Sequence, residues 1–206
     1  MTLTALLLAG GRSSRMGFDK ATLNIGGEPL WQRQLRVLCE LSPATLWISA
    51  RARPAWCPSE VEVVLDESPL NAPLSGLAAG LRRLQTSHLL VLAIDLPRIS
   101  AEHLRKLCDL ARPGSGVIPL NGDYFEPLCA IYPVEAGASA QAALISDDVS
   151  LQHFGKTLLR KSLAQTYALT AEERPLYLNL NAPSDLQKGF ADEGFNQSRF
   201  DGPQIL

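Results

Sequence analysis

Two stretches of this chain, Leu6–Leu8 and Leu89–Ala93, are apolar without interruption. A strand with one face in water alternates apolar and polar residues. Runs without alternation therefore belong to strands covered on both faces, as in the centre of a parallel sheet. Similar β-rich segments recur: Thr2–Ala9, Thr45–Ser49, Val61–Leu65, His88–Ala93, Gly116–Pro119, Pro127–Tyr132 and Tyr177–Leu180 read as strands. Helix-period segments lie between them. Leu30–Glu40 carries Trp31, Leu35 and Leu38 at helical spacing and is followed by Pro43, which discourages continuation. Leu74–Leu84 and Ala101–Leu110 have the same character. Before the second of these, Ser100 is placed to cap, with Glu102 in the first turn and His103 where a capping box would use Glu or Gln. This order implies an α/β fold: a three-layer α/β/α sandwich, Rossmann-like, with a mostly parallel central sheet. Ligands of such sheets bind beyond the carboxyl ends of the strands, so the residues that follow each strand are the ones to weigh.

A chain of 206 residues with 46% hydrophobic and 19% charged side chains has enough apolar material for one ordinary core, which excludes disorder, collagen and extended coiled coil. Its formal net charge of −2 gives no basic surface for tracking nucleic acid, so any phosphate chemistry must be local. The apolar stretch Ala5–Ala9 is far short of the ~20 residues needed to cross a bilayer, and no Lys or Arg precedes it as in a signal peptide. The expectation is a cytoplasmic protein without membrane or nucleic-acid partners. Cys39, Cys57, Cys108 and Cys129 form no CxxC pair and read as reduced thiols. His88, His103 and His153 are scattered, with no metal-ligand or triad spacing, and read as structural or surface residues. No linker divides the chain. Residues 188–206 lack periodicity and read as a tail or packed extension after a domain over 1–187.

The first strand runs into Leu8-Ala9-Gly10-Gly11-Arg12-Ser13-Ser14-Arg15-Met16-Gly17-Phe18-Asp19-Lys20. Glycines let a backbone turn tightly and bring N–H groups close to phosphate oxygens, while Arg15 and Lys20 supply charge to offset a triphosphate. Three cations, Arg12, Arg15 and Lys20, less Asp19 leave this loop at +2 within a chain of −2. It is neither a Walker A loop, because Gly17 is followed by Phe18, nor a GxGxxG turn. Asp95 ends the run Leu89–Ile94, where a buried strand delivers a carboxylate to the ligand edge. A hard oxygen ligand there suits Mg²⁺, although an Asp before Leu-Pro also caps turns. Asp66 follows Val61–Leu65 in the same manner and also reads as a turn residue in Asp66-Glu67-Ser68-Pro69. Ser75 and Gly76 open a helix whose N-terminus could receive an anion, and capping by Ser75 explains them about as well.

The pattern LAGGxSxRMGxDK resembles the signature of the molybdenum cofactor guanylyltransferases, within the wider nucleotidyltransferase superfamily. Further elements follow in the family's order: Pro29-Leu30, Val64-Leu65-Asp66, Pro73-Leu74-Ser75-Gly76-Leu77, Ile94-Asp95-Leu96-Pro97, Glu126-Pro127-Leu128-Cys129-Ala130 and Asn179-Leu180-Asn181-Ala182-Pro183. The resemblance implies transfer of GMP from GTP to the terminal phosphate of molybdenum cofactor (molybdopterin), with release of pyrophosphate. It implies that Leu8, Ala9, Gly10, Gly11, Lys20, Ser49, Asp66, Gly76 and Asp95 contact the nucleotide, and that Asp95 holds Mg²⁺. It also implies that Arg15 and Lys20 serve catalysis at the phosphates, that Asn179 and Asn181 face the acceptor, and that the protein makes transient contacts with cofactor-insertion proteins or molybdoenzymes. Consecutive glycines at Gly10-Gly11 match the guanine-using members, where cytidylyl-using ones carry Ala-Gly.

Some positions depart from the family. Ser49 stands where relatives often have Asn, Glu126-Pro127 replaces a His-Pro or Gln-Pro pair, Asp147-Asp148 stands where Arg is common, and Ala182 replaces Thr. Two acids facing an anionic pterin phosphate would repel it. These departures keep open a cytidylyltransferase or a sugar- or polyol-phosphate nucleotidyltransferase. A nonenzymatic nucleotide-binding or cofactor-chaperoning module is a third reading, against which the pairing of Asp95 with Lys20 speaks.

Overall fold

The computed structural model describes residues 1–10, 19–70 and 72–180. At its centre β1 (Leu3–Leu8) and β6 (His88–Ala93) pair in parallel, from Leu3 opposite His88 to Leu8 opposite Ala93, and every residue of both strands is buried. Side chains alternate between the faces of a strand. Leu3, Ala5 and Leu7 therefore join one core with α1 (Leu30–Cys39) and α3 (Ala101–Leu110). Leu6 and Leu8 join the other with α2 (Pro73–Arg83), α4 (Ala136–Leu144) and α5 (Leu151–Arg160). Uninterrupted apolar runs and a sandwich with two cores are one fact seen at two levels.

The sheet order is β10-β7-β9-β6-β1-β4-β5, with β4 at Thr45–Ala50, β5 at Glu62–Leu65, β7 at Gly116–Asn121, β9 at Cys129–Pro133 and β10 at Ala164–Ala168. Pairings β1–β4, β4–β5, β1–β6 and β7–β10 are parallel, whereas β9 runs antiparallel between β6 and β7. A short β8 (Tyr124–Phe125) turns back on β7. Outside the sheet, β2 (Asn24–Ile25) and β3 (Glu28–Pro29) form a hairpin whose turn needs positive φ at both Gly26 and Gly27, 61° and 87°. This is the mostly parallel α/β/α sandwich read from the sequence. Among the described residues no helix is long and apolar enough to cross a membrane.

The helix expected over Ala101–Leu110 forms there, and the Ser100 side chain caps it by accepting from the His103 N–H at 3.2 Å. The strand expected over Tyr177–Leu180 does not form. Instead Arg174–Tyr177 is a 3₁₀ turn with Pro175 near its start, and the chain continues extended without a strand partner. The sequence expectations also omit the short β2, β3 and β8 and three longer elements, α4, α5 and β10. In α4 the buried residues are Ala136, Ser139, Ala140 and Ala143, small side chains that let it lie against α2 but give little periodic signal. In α5 the pattern rests on Phe154 and Leu158 with Gly155, and β10 is an edge strand with exposed alternate residues.

Close approach of strands also constrains the fold. A Cβ added at Gly116 would collide with the Ile131 carbonyl of β9. Gly116→Ala must therefore push two paired strands apart, and we expect it to cost about 2–4 kcal/mol in urea unfolding, well beyond a typical surface substitution. An unchanged midpoint would show that β7 and β9 can separate freely.

Candidate active site

Strands β1, β4, β5 and β6 end at one edge, and backbone hydrogen bonds tie their ends together. The Ala9 and Gly10 N–H groups both donate to the Ser49 carbonyl (3.0 and 3.1 Å), Asp66 donates to the Ala50 carbonyl (3.0 Å), and Ile94 donates to the Leu8 carbonyl (3.0 Å). Beyond this edge lies a cavity of about 270 Å³. Leu8, Ala9, Gly10, Lys20, Ser49, Asp66, Gly76 and Asp95 all line it, with Leu128 from the turn before β9. Every nucleotide-site residue named from the sequence that falls among the described residues is thus on one surface. Gly11, Arg15 and Asn181 lie outside the described residues. Asn179 is described and exposed, and is not among the residues lining the cavity.

Lys20 begins a 3₁₀ turn, Lys20–Thr22, that Asp19 caps. One Asp19 carboxylate oxygen accepts from the Ala21 N–H (3.0 Å) and the other from the Trp56 indole N–H (2.7 Å). Trp56 in turn stacks on Trp31 of α1 with ring centroids 5.6 Å apart. The Lys20 ammonium donates to the Leu180 carbonyl at 2.8 Å and stops 3.9 Å from Asp95 Oδ2. Asp95 sits two residues past the end of β6. Burial raises its carboxyl above the ordinary value, and the neighbouring Lys20 charge opposes that rise.

The Asp95 loop is held from beneath. Gln34 of α1 is fully buried, and its amide nitrogen donates to the Leu96 carbonyl (2.8 Å) with those of Ala93 and Ile94 at 3.4 Å. Arg33 donates from Nε to the Pro97 carbonyl (2.9 Å). Leu30, Gln34 and Leu38 share one helix face at i, i+4, i+8, and all are buried, so a polar residue in an apolar stripe was the available sequence signal for Gln34. The Trp56–Asp19 contact and the Leu180 carbonyl carry no such signal, because they join residues 37 and 160 positions apart.

Asp66 does both things the sequence allowed. It lines the cavity, and its oxygens accept from the Ser68 N–H (3.1 Å) and the Ser75 hydroxyl (2.6 Å), which fastens the β5–α2 connection. Gly76, like Gly80 one turn on, brings α2 close to the sheet: a Cβ at Gly76 would sit 2.8 Å from Ser49 Oγ and 3.1 Å from Leu8 Cδ2. Glu126, in the turn that leads into β9, is half-buried. Burial raises its carboxyl, and the Asn121 amide donating to it at 3.1 Å opposes that. Asp147 and Asp148 are both exposed on the α4–α5 connection. Asp148 accepts from the Ser150 N–H (2.9 Å) and lies 3.4 Å from His153, so it secures the start of α5.

Mg²⁺ asks for oxygen donors and takes most of them from phosphates and water, needing only one or two carboxylates. Asp95 fits that demand. It is a cavity-lining carboxylate whose burial penalises an isolated charge, and the ammonium beside it is engaged elsewhere. Among the described residues no group of three or more His, Cys, Asp or Glu could hold a metal without a substrate's help.

Gly10 just past β1, a lysine and a strand-end aspartate around one cavity of a mostly parallel sheet make up the site of a nucleotidyltransferase. Residues 5–167 match the model of the MobA-like NTP transferase domain, and the chain belongs to that family. It is 40% identical over 186 residues, 89% of this chain and 92% of the other, to a probable molybdenum cofactor guanylyltransferase of Opitutus terrae. To the molybdenum cofactor guanylyltransferase of Pseudomonas fluorescens SBW25 it is 32% identical over 191 residues, 89% and 92% of the two chains. The fold is shared with the crystal structure of molybdopterin-guanine dinucleotide biosynthesis protein A from Archaeoglobus fulgidus, with a TM-score of 0.68 at 24% identity over 91% of this chain and 97% of that one.

The tight fit at Gly76 is testable. Gly76→Ala should press on Ser49 Oγ and cost about 1–2 kcal/mol of stability, and Ser49→Ala should relieve part of that. Thermal unfolding of the two single variants and the double variant reads the coupling; strict additivity would mean that the helix simply shifts outward.

Proposed function

We propose that this protein transfers the GMP moiety of GTP to the terminal phosphate of molybdenum cofactor, forming molybdopterin guanine dinucleotide and releasing pyrophosphate. The observation that carries this reading is the convergence of Gly10, Lys20 and Asp95 on one cavity, in a chain that is 40% identical to a probable molybdenum cofactor guanylyltransferase.

A terminal phosphate oxygen of the acceptor attacks the α-phosphorus of GTP in line. The new phosphorus–oxygen bond forms as the bond to the β-phosphate's bridging oxygen breaks, and the electron pair leaves with pyrophosphate. Negative charge spreads over the nonbridging oxygens and the leaving group, so positioning and electrostatics supply the catalysis and no covalent intermediate with the protein is needed. Ala9 and Gly10, held by their N–H groups on the Ser49 carbonyl, line the cavity and would lie against the nucleotide. Lys20 neutralises triphosphate charge, joined by Arg15 from the same loop. Asp66, fixed by Ser68 and Ser75, and Ser49 shape the nucleoside side of the cavity. Asp95 would hold Mg²⁺, which when bound supplies Lewis-acid stabilisation of phosphate charge. Glu126 and Asn179, with Asn181 two residues on in the sequence, are the groups we assign to the acceptor. Asp147 and Asp148 are exposed on the α4–α5 connection, and Asp148 accepts from the Ser150 N–H.

Asp95→Asn keeps the shape and removes the charge that burial disfavours. We expect turnover to fall at least 100-fold while the melting temperature stays within about 3 °C, since 1 kcal/mol shifts a domain of this size by ~2–4 °C. Full activity of the purified variant would remove Asp95 from the metal role.

Because Mg²⁺ takes the ionised carboxylate, its affinity for the wild type should rise with pH. It should level off once Asp95, raised above the usual carboxylate range, is fully ionised. A pyrophosphate-release assay across GTP, CTP, ATP and UTP with the pterin acceptor should favour GTP; preference for CTP would overturn the guanine assignment.

A further inference from the structure

The segment from Glu173 to Leu180 ties an anchor on α3 to the Lys20–Asp95 pair, and neither the nucleotide nor the metal accounts for the anchor. Tyr177 ends the 3₁₀ turn, is 4% exposed, and shares a 2.7 Å hydrogen bond between its hydroxyl and His103 Nε2. The two rings meet edge to face at 5.4 Å. His103 is itself buried in α3, with Nδ1 3.6 Å from Glu173. The Glu173 carboxylate accepts from Lys106 (2.8 Å), from the Tyr167 hydroxyl and from the Thr170 N–H (3.0 Å). Burial would raise that carboxyl, but these donors outweigh it and hold it at about 2.

Three residues beyond Tyr177 the chain reaches the site. The Leu180 N–H donates to the backbone carbonyl of Asp95 at 2.8 Å, and the Leu180 carbonyl accepts from the Lys20 ammonium at 2.8 Å. An unrestrained Lys–Asp pair closes to about 2.7–2.9 Å. Here it stays open at 3.9 Å, with the ammonium on a carbonyl instead.

Building on the nucleotide reading above, we propose that Tyr177 and His103 are positioning residues that act through Leu180. They hold the segment so that its carbonyl keeps Lys20 off Asp95, leaving the carboxylate open to a divalent cation and the ammonium open to the triphosphate. The same segment carries Asn179, so a molecule bound beside it would press on the group that grips the nucleotide.

The test uses the full-length protein and calorimetric titration with Mg²⁺–GTP. Tyr177→Phe removes one hydroxyl and should weaken binding about five- to twentyfold, and His103→Gln should do the same, with thermal unfolding confirming that both are folded. In a Lys20→Met background Tyr177→Phe should change the affinity less than twofold, because the residue it acts through is gone. An equal loss in both backgrounds, or none in the first, overturns the proposal. A second readout needs no nucleotide: hydrogen exchange at the Leu180 N–H should accelerate at least tenfold in Tyr177→Phe, and unchanged exchange also overturns it. A wild type that fails to bind GTP would refute the nucleotide reading, while the exchange measurement would still decide whether Tyr177 secures the segment.

Discussion

The hydrogen bond from the Ile94 N–H to the Leu8 carbonyl, 3.0 Å long, continues the ladder between the two central strands past their ends. It sets the glycine turn that leaves β1 beside the aspartate that leaves β6. Both strands are wholly buried, so neither can slide a residue without turning its apolar side chains onto the wrong core. The position of Asp95 relative to Gly10 is thereby fixed by hydrophobic burial spread over two helical layers. The groups that refine it, Gln34 beneath the loop and Leu180 above it, act on a frame already in place.

How much of this was legible in the sequence depended on the range over which each element is determined. β1 and β6 were plain because both faces are apolar, and α3 was plain because Ser100 and a strong amphipathic stripe delimit it. α4 escaped because its buried face is built from alanines, whose burial is a property of the neighbour that approaches them. Tyr177–Leu180 looked like a strand because it is apolar and ends near polar residues. Tyr177 instead closes the 3₁₀ turn, the chain is extended at Leu178, and the partners of Leu180 are the Asp95 carbonyl and Lys20, not a neighbouring strand. In the site, Gly10, Asp66 and Asp95 could be named because each lies just past a strand, and Lys20 because it ends the glycine-rich segment. The Trp56–Asp19 contact and the His103–Tyr177 anchor depend on contacts across the chain that no local pattern encodes.

The departures from the family pattern divide in the structure. Asp147 and Asp148 belong to the connection that begins α5, where an acid at Asp148 satisfies the Ser150 N–H. That is a local contact just before the helix, and both side chains are exposed. Glu126 is of another kind. Half-buried and paired with Asn121, it sits in the turn that also brings Leu128 to the cavity wall. Burial raises its carboxyl and the Asn121 amide opposes that rise.

The reversed direction of β9 sets how the cavity wall is built. Because β9 enters the sheet at the ligand edge, the turn that leads into it brings Leu128 to the cavity. The Leu128 carbonyl accepts from the Ala93 N–H at 2.7 Å, and the Glu126 N–H donates to the Pro119 carbonyl at 2.9 Å. The wall is thus pinned to both neighbouring strands, β6 and β7, and moves only when they do.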